Sequence, residues 1–174
     1  MNSKITYKNE NLELIDEFID IGYAAEDVEA LGLDNHPLHI SKNSPNRTIQ
    51  IFLSYPSFEA FKEEIIAFDE FMNDAKVEIF TYIIFNEPLE FDYTFKKLIP
   101  AFDVNDEFGS MYGTKIVSGS LENKLTKALF LIGKDGAIYH IDMPNDLEQG
   151  FAMERVRVEL NKVYQSYTGV GCHG

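Results

Sequence analysis

One cysteine, four histidines and a surplus of carboxylates are the groups this 174-residue chain offers to chemistry. The cysteine lies in Thr168-Gly169-Val170-Gly171-Cys172-His173-Gly174. An imidazole beside a thiol can lower its pKa, yet a reactive thiolate needs a positive environment that a terminal tail seldom supplies. The glycines mark 168–174 as a flexible tail after a single domain spanning 1–167. An incidental exposed thiol and a redox thiol that forms mixed disulfides both fit Cys172. A single cysteine allows no intramolecular disulfide and agrees with a reducing compartment. It is third from the end, whereas prenylation requires the fourth position.

His36 and His39 flank Pro37-Leu38. On a strand, residues three apart face opposite sides, and Pro37 disfavours a helix interior. A metal would need further ligands, with Cys172-His173 the other pair on offer, so neither a metal nor a cofactor is expected. His140 reads as a strand residue without an identifiable partner.

Acidic residues outnumber basic ones by 29 to 15, for a formal net charge of −14. That charge repels phosphate backbones and anionic lipid headgroups, which argues against nucleic-acid and membrane partners. It is spread along the chain, as a solvated surface requires. Apolar residues make up 45% of the sequence, enough for a core without disulfides or metals. The longest apolar runs are strand length, such as Ala128–Ile132, too short to span a bilayer. The polar stretch Met1–Asn11 does not read as a secretory signal, so a cytoplasmic protein is expected.

The elements that would position these groups follow from periodicity. Ile5-Thr6-Tyr7 and Leu12–Ile15 flank Asn9-Glu10-Asn11 and predict an N-terminal hairpin. Ala25–Gly32 reads as a helical turn or an irregular loop. Arg47–Ser54 predicts a central strand, ended by Pro56. Phe58, Phe61, Ile65, Phe68 and Met72 recur at helical spacing, with Ser57 as the N-cap. Such a helix, following a central strand, buries its stripe against the sheet. Val77–Phe85 predicts a second buried strand and Phe91–Ile99 a helix stopped by Pro100. Ala128–Gly133 and Ala137–Asp142 predict strands joined by a tight turn at Lys134-Asp135-Gly136. Phe151–Tyr167 predicts a final helix. This order calls for an α/β fold with a mixed sheet and helices on both faces.

Six short segments, in order, carry a family resemblance. They are Ile5-Thr6-Tyr7-Lys8, Ile21-Gly22 with Ala25–Val28, the strand ending in Pro56-Ser57, Phe108-Gly109-Ser110-Met111-Tyr112-Gly113, Leu125–Phe130, and Lys134-Asp135-Gly136. Through them the chain resembles the thiol peroxidases, the atypical two-cysteine class of peroxiredoxins. The resemblance implies a thioredoxin-like, peroxiredoxin-type sheet with an N-terminal β-hairpin. It also implies pairing into a homodimer through a surface that includes the Phe-Gly-x-x-Tyr-Gly element. Phe102, Phe108, Met111 and Tyr112 are the interface candidates.

The departures fall on the family's chemistry. Its motif Pro-x-x-x-Thr-x-x-Cys, counted from Pro56, places Ala60 at the threonine and Glu63 at the peroxidatic cysteine. Allowing for a shorter helix, the counterpart lies within Phe58–Glu63, which holds no cysteine. The resolving cysteine falls near Ile99, and the active-site arginine falls on Lys127. A peroxidatic thiolate attacks peroxide oxygen and becomes a sulfenic acid, a step no carboxylate can replace. Lys127 keeps the charge of the arginine and loses its planar fork. Pro56, Ser57, Ala60, Glu63, Ile99 and Lys127 are therefore the positions of a vestigial site, with no catalytic residue among them. Glu63 and Lys127 could pair in a remodelled pocket for a small polar ligand, or lie apart in solvent. The expected function is a peroxiredoxin-like protein without cysteine peroxidase activity, kept as a binding or assembly module with a protein or small-ligand partner. The alternative is a divergent thiol-dependent antioxidant enzyme using Cys172.

Overall fold

A computed structural model of the chain describes residues 4–17, 19–41, 48–75 and 78–165. Cys172, His173 and the 168–174 tail lie outside these residues, as do Arg47, Val77 and Tyr167.

Strand β1 (Lys4–Tyr7) pairs antiparallel with β2 (Glu10–Glu13), with Ile5 opposite Leu12. Their turn is Lys8-Asn9, one residue earlier than predicted, and both residues have positive φ, 48° and 68°. That geometry matches the twist of a two-residue hairpin, and asparagine tolerates it well.

Among the described residues the main sheet has seven strands, in the order β4 (Pro37–His39), β3 (Glu29–Gly32), β7 (Ile99–Phe102), β6 (Ile79–Phe85), β5 (Ile49–Ser54), β8 (Ala128–Ile132) and β9 (Ile138–Asp142). At its centre β5 (Ile49–Ser54) runs parallel to β6 (Ile79–Phe85) and antiparallel to β8 (Ala128–Ile132). All six residues of β5 are buried, as a strand covered on both faces requires. Strand β7 (Ile99–Phe102) extends the parallel part, and β9 (Ile138–Asp142) pairs with β8 across the predicted turn, where Gly136 has φ 83°.

Helix α1 (Lys62–Asn73) and helix α3 (Met153–Gln165) share one face of the sheet with the N-terminal hairpin. Phe61, Ile65, Phe68 and Met72 meet Ile51, Leu53, Val156 and Val163 there, so the predicted stripe is core. The short helix α2 (Glu107–Met111) covers the other face, where Phe108 and Tyr112 pack on Phe52 and Phe130. Together these elements form a thioredoxin-like, peroxiredoxin-type α/β fold. No described helix is long and apolar enough to cross a membrane.

Three local expectations are corrected. Glu29–Gly32 is strand β3, held between β7 and β4 (Pro37–His39), because alternate burial of Ala30 and Gly32 suits a sheet. Ser57 does not cap a helix. A 3-10 turn over Glu59–Phe61 precedes α1, and its closing bond runs from the Phe61 amide to the Phe58 carbonyl. Phe91–Leu98 is irregular, and Ile99 already belongs to β7. The Asp69 carboxylate of α1 takes the amides of Lys96, Lys97 and Leu98 at 2.8, 2.8 and 2.9 Å, and the Tyr93 hydroxyl at 2.6 Å. Those amides cannot then serve helical bonds.

Candidate functional site

Strand β5 ends at Ser54, and the chain continues into Tyr55 and Pro56 beneath the start of α1. Both are buried, as is Phe58, whereas Ser57 is half-buried and Ala60 exposed. On α1, Glu63 points to solvent. The neighbouring Glu64, about 100° further round the helix, lies on the same side as Phe61 and Phe68. It reaches Lys127, which leads into β8.

Lys127 is 0% exposed. Its ammonium lies 2.8 Å from Glu64 Oε1 and donates to Glu64 Oε2 at 3.0 Å and to the Gln149 carbonyl at 2.8 Å. The Phe61 ring centroid is 5.1 Å away and that of Tyr55 5.8 Å, within reach of cation–π attraction. The Tyr55 hydroxyl donates to Glu64 Oε1 at 3.0 Å. Burial first, and the Glu64 charge second, push the Tyr55 phenol well above its ordinary pKa, so it stays a donor. Of the two readings, Glu63 does lie in solvent, but Lys127 is not a surface lysine: it is buried and pairs with Glu64. Lys127 is sealed because Glu64 and Gln149 together satisfy its donors, which makes burial of a charge tolerable.

Glu64 is 35% exposed and opens onto a cleft of about 300 Å³ between α1 and α3. Tyr55, Glu64, Phe68, Phe71, Phe151 and Arg157 line it. The Arg157 guanidinium lies 5.3 Å from the Phe71 ring centroid, and these two side chains also border a second hollow that runs toward Tyr164.

Ile99 is not brought to this site. It pairs with Tyr82 and packs against the cluster on the face opposite α1. The surface expected from the interface candidates is also corrected. Phe102, Phe108 and Tyr112 are buried, and of the four only Met111 is exposed, at 44%. The Phe-Gly-x-x-Tyr-Gly element is accounted for by packing. The Phe108 and Tyr112 rings stack at 4.6 Å, and the Tyr112 hydroxyl donates to the Glu26 carbonyl at 2.6 Å. The Asp103 carboxylate accepts the Phe108 and Gly109 amides at 2.9 and 2.8 Å. Burial nonetheless pushes the Asp103 carboxyl up. A Cβ on Gly109 would come within 3.0 Å of Leu125 and 3.3 Å of that carboxylate, and Gly113 turns at φ 68°.

His36 and His39 engage acidic neighbours. His39 Nδ1 lies 3.0 Å from Asp27 Oδ2, and His36 Nδ1 lies 3.5 Å from Asp34 Oδ2. Among the described residues no cluster of three or more metal-ligating side chains forms. His140 Nε2 is buried without a hydrogen-bond partner among them, and burial holds its pKa below the ordinary value.

Sequence reasoning missed Glu64, Tyr55 and Gln149. Glu64 was open to discovery, since it stands three residues after Phe61 and four before Phe68 on the apolar stripe. The Gln149 contact uses a backbone carbonyl, which leaves no mark in the sequence.

No family model and no curated protein matches the chain. Solved structures do. A peroxiredoxin-like protein from Aquifex aeolicus superimposes with a TM-score of 0.80 at 18% identity, covering 94% of this chain and 98% of that one. The thiol peroxidase from Chromobacterium violaceum gives 0.79 at 12% identity, with the same coverage. The mitochondrial 2-cys peroxiredoxin from Plasmodium falciparum gives 0.63 at 16% identity, covering 86% and 95%. At these identities the likeness is one of fold: the chain has the architecture of the peroxiredoxins.

Proposed function

We propose that this chain is a peroxiredoxin-fold protein that performs no cysteine peroxidase chemistry and acts as a cytoplasmic, homodimeric binding or assembly module. The observation that carries this reading is the sealed Lys127–Glu64 pair. Where the family resemblance places an arginine that would hold thiolate and peroxide, Lys127 has its donors committed to Glu64 and Gln149. The first 171 residues contain no cysteine, so no thiolate can be presented at the start of α1. The surface available for pairing is Met111 with Ile19 and Tyr23, rimmed by Glu17 and Glu26. Exposed Met and Tyr suit the centre of a two-fold interface.

The test is peroxide consumption with thioredoxin or a small thiol as reductant, on the intact protein and on Cys172→Ser. Slow, stoichiometric oxidation of the intact protein and none of the variant is expected. Rapid turnover abolished by Cys172→Ser would replace this reading with that of a thiol-dependent antioxidant enzyme.

A further inference from the structure

The floor of the cleft beside Lys127 presents acceptors and no free donor. The ammonium is committed to Glu64 and the Gln149 carbonyl, and the Tyr55 hydroxyl hydrogen is directed at Glu64 Oε1. Oε1 thus receives the Tyr55 hydroxyl with the ammonium 2.8 Å away, and Oε2 receives the ammonium alone. A carboxylate oxygen accepts about two hydrogen bonds, so Oε2 keeps one site open. The ammonium also cancels the carboxylate charge, so the floor holds little attraction for a cation.

Above that floor the walls are the side chains of Phe68, Phe71, Phe151, Met153 and Arg157, whose guanidinium donates to Glu154 and lies over the Phe71 ring. A volume of about 300 Å³ is at the small end of ligand sites and suits a single-ring molecule. Gly150 forms part of the rim, and a Cβ built there meets nothing within 4 Å. Gly150 is thus an exposed position on the rim where a side chain can be added without a clash.

We infer that this cleft binds a small neutral phenol or ring-bearing alcohol. Its hydroxyl donates to Glu64 Oε2 and its ring lies among Phe68, Phe71 and Phe151. A ligand of the same shape without the donor would bury Oε2 unpaired, which costs affinity. The inference rests on the reading of this chain as a binding module and supplies the chemical class of its ligand.

The test uses the full-length protein, titrated by NMR with 4-ethylphenol and with its methyl ether, 4-ethylanisole. The phenol is expected to bind saturably and roughly tenfold more tightly than the ether. Gly150→Leu, which adds a bulky side chain to the rim, should weaken phenol binding at least about tenfold while the circular dichroism spectrum stays unchanged. Ala67→Leu, on the α1 wall, is a second blocking variant should Gly150→Leu fail to fold. Equal affinity for phenol and ether would overturn recognition through Glu64. Phenol binding indifferent to the blocking variants would place the ligand elsewhere, and absence of saturable binding at millimolar concentration would remove the site. Each of these results is separate from peroxide turnover, which alone tests the underlying reading.

Discussion

Glu64 turns both carboxylate oxygens onto the Lys127 ammonium, Oε1 at 2.8 Å and Oε2 at 3.0 Å, although 63 positions separate them in sequence. Carbonyl, carboxylate and two aromatic faces take the place of water around a cation that has lost all its exposure.

Removing one member of this pair leaves the other as an uncompensated charge. Glu64→Ala should lower stability by about 3 kcal/mol, the low end of the range for buried pairs because Glu64 is partly exposed. Replacing both, as Glu64→Leu with Lys127→Met, should bring stability back to within about 1 kcal/mol of the wild type. Urea unfolding measures both. A loss under about 0.5 kcal/mol for Glu64→Ala would mean that water screens the pair.

Asp69 ties the middle of α1 to the 93–98 segment through four donors. Burial raises its carboxyl pKa, but the hydrogen bonds outweigh that effect and hold it below the ordinary carboxylate value. A group depressed in the folded state adds stability above its unfolded pKa, about 4, and loses it as pH falls through the folded value. Asp69→Asn should cost about 3 kcal/mol at neutral pH, and the difference from wild type should shrink in acid. Thermal unfolding from pH 7 down to pH 2 follows the effect, and a difference constant with pH would refute the ionic clamp.

Met111 is the exposed member of the retained aromatic element, beside Ile19 and Tyr23. In a two-fold pairing it would meet its own copy, so Met111→Asp should place two charges together and give a folded monomer. Light scattering at micromolar concentration reads the mass. A monomeric wild type, or a dimer untouched by the substitution, would end the proposal of assembly through this surface.

The fold was legible because its strongest signals are local. The stripe from Phe58 to Met72, the β-branched run into Ser54 and the Asp135-Gly136 turn all formed as their patterns predict. The failures have tertiary causes. Glu29–Gly32 is a strand only because β7 and β4 flank it, and Phe91–Leu98 is kept out of a helix by a carboxylate more than twenty residues away in the chain. At the candidate site, counting from Pro56 pointed to Glu63. The 3-10 turn that precedes α1 and the rotation of one helical step give the role to Glu64. Phe102, Phe108 and Tyr112 have the composition of an interface, but the same aromatic character serves a core.

The carbonyl that completes the Lys127 shell comes from the loop after β9, which is itself anchored to the N-terminal hairpin: the Thr6 amide donates to Asn145 and the Leu147 amide to Thr6. Burial of Lys127 therefore draws on the N-terminal hairpin and the loop after β9 as well as on α1. Contacts of such long range close late, since loop closure precedes any reward from them. The corner they form is the one where the family resemblance locates thiol chemistry, and the start of α1 there carries no cysteine.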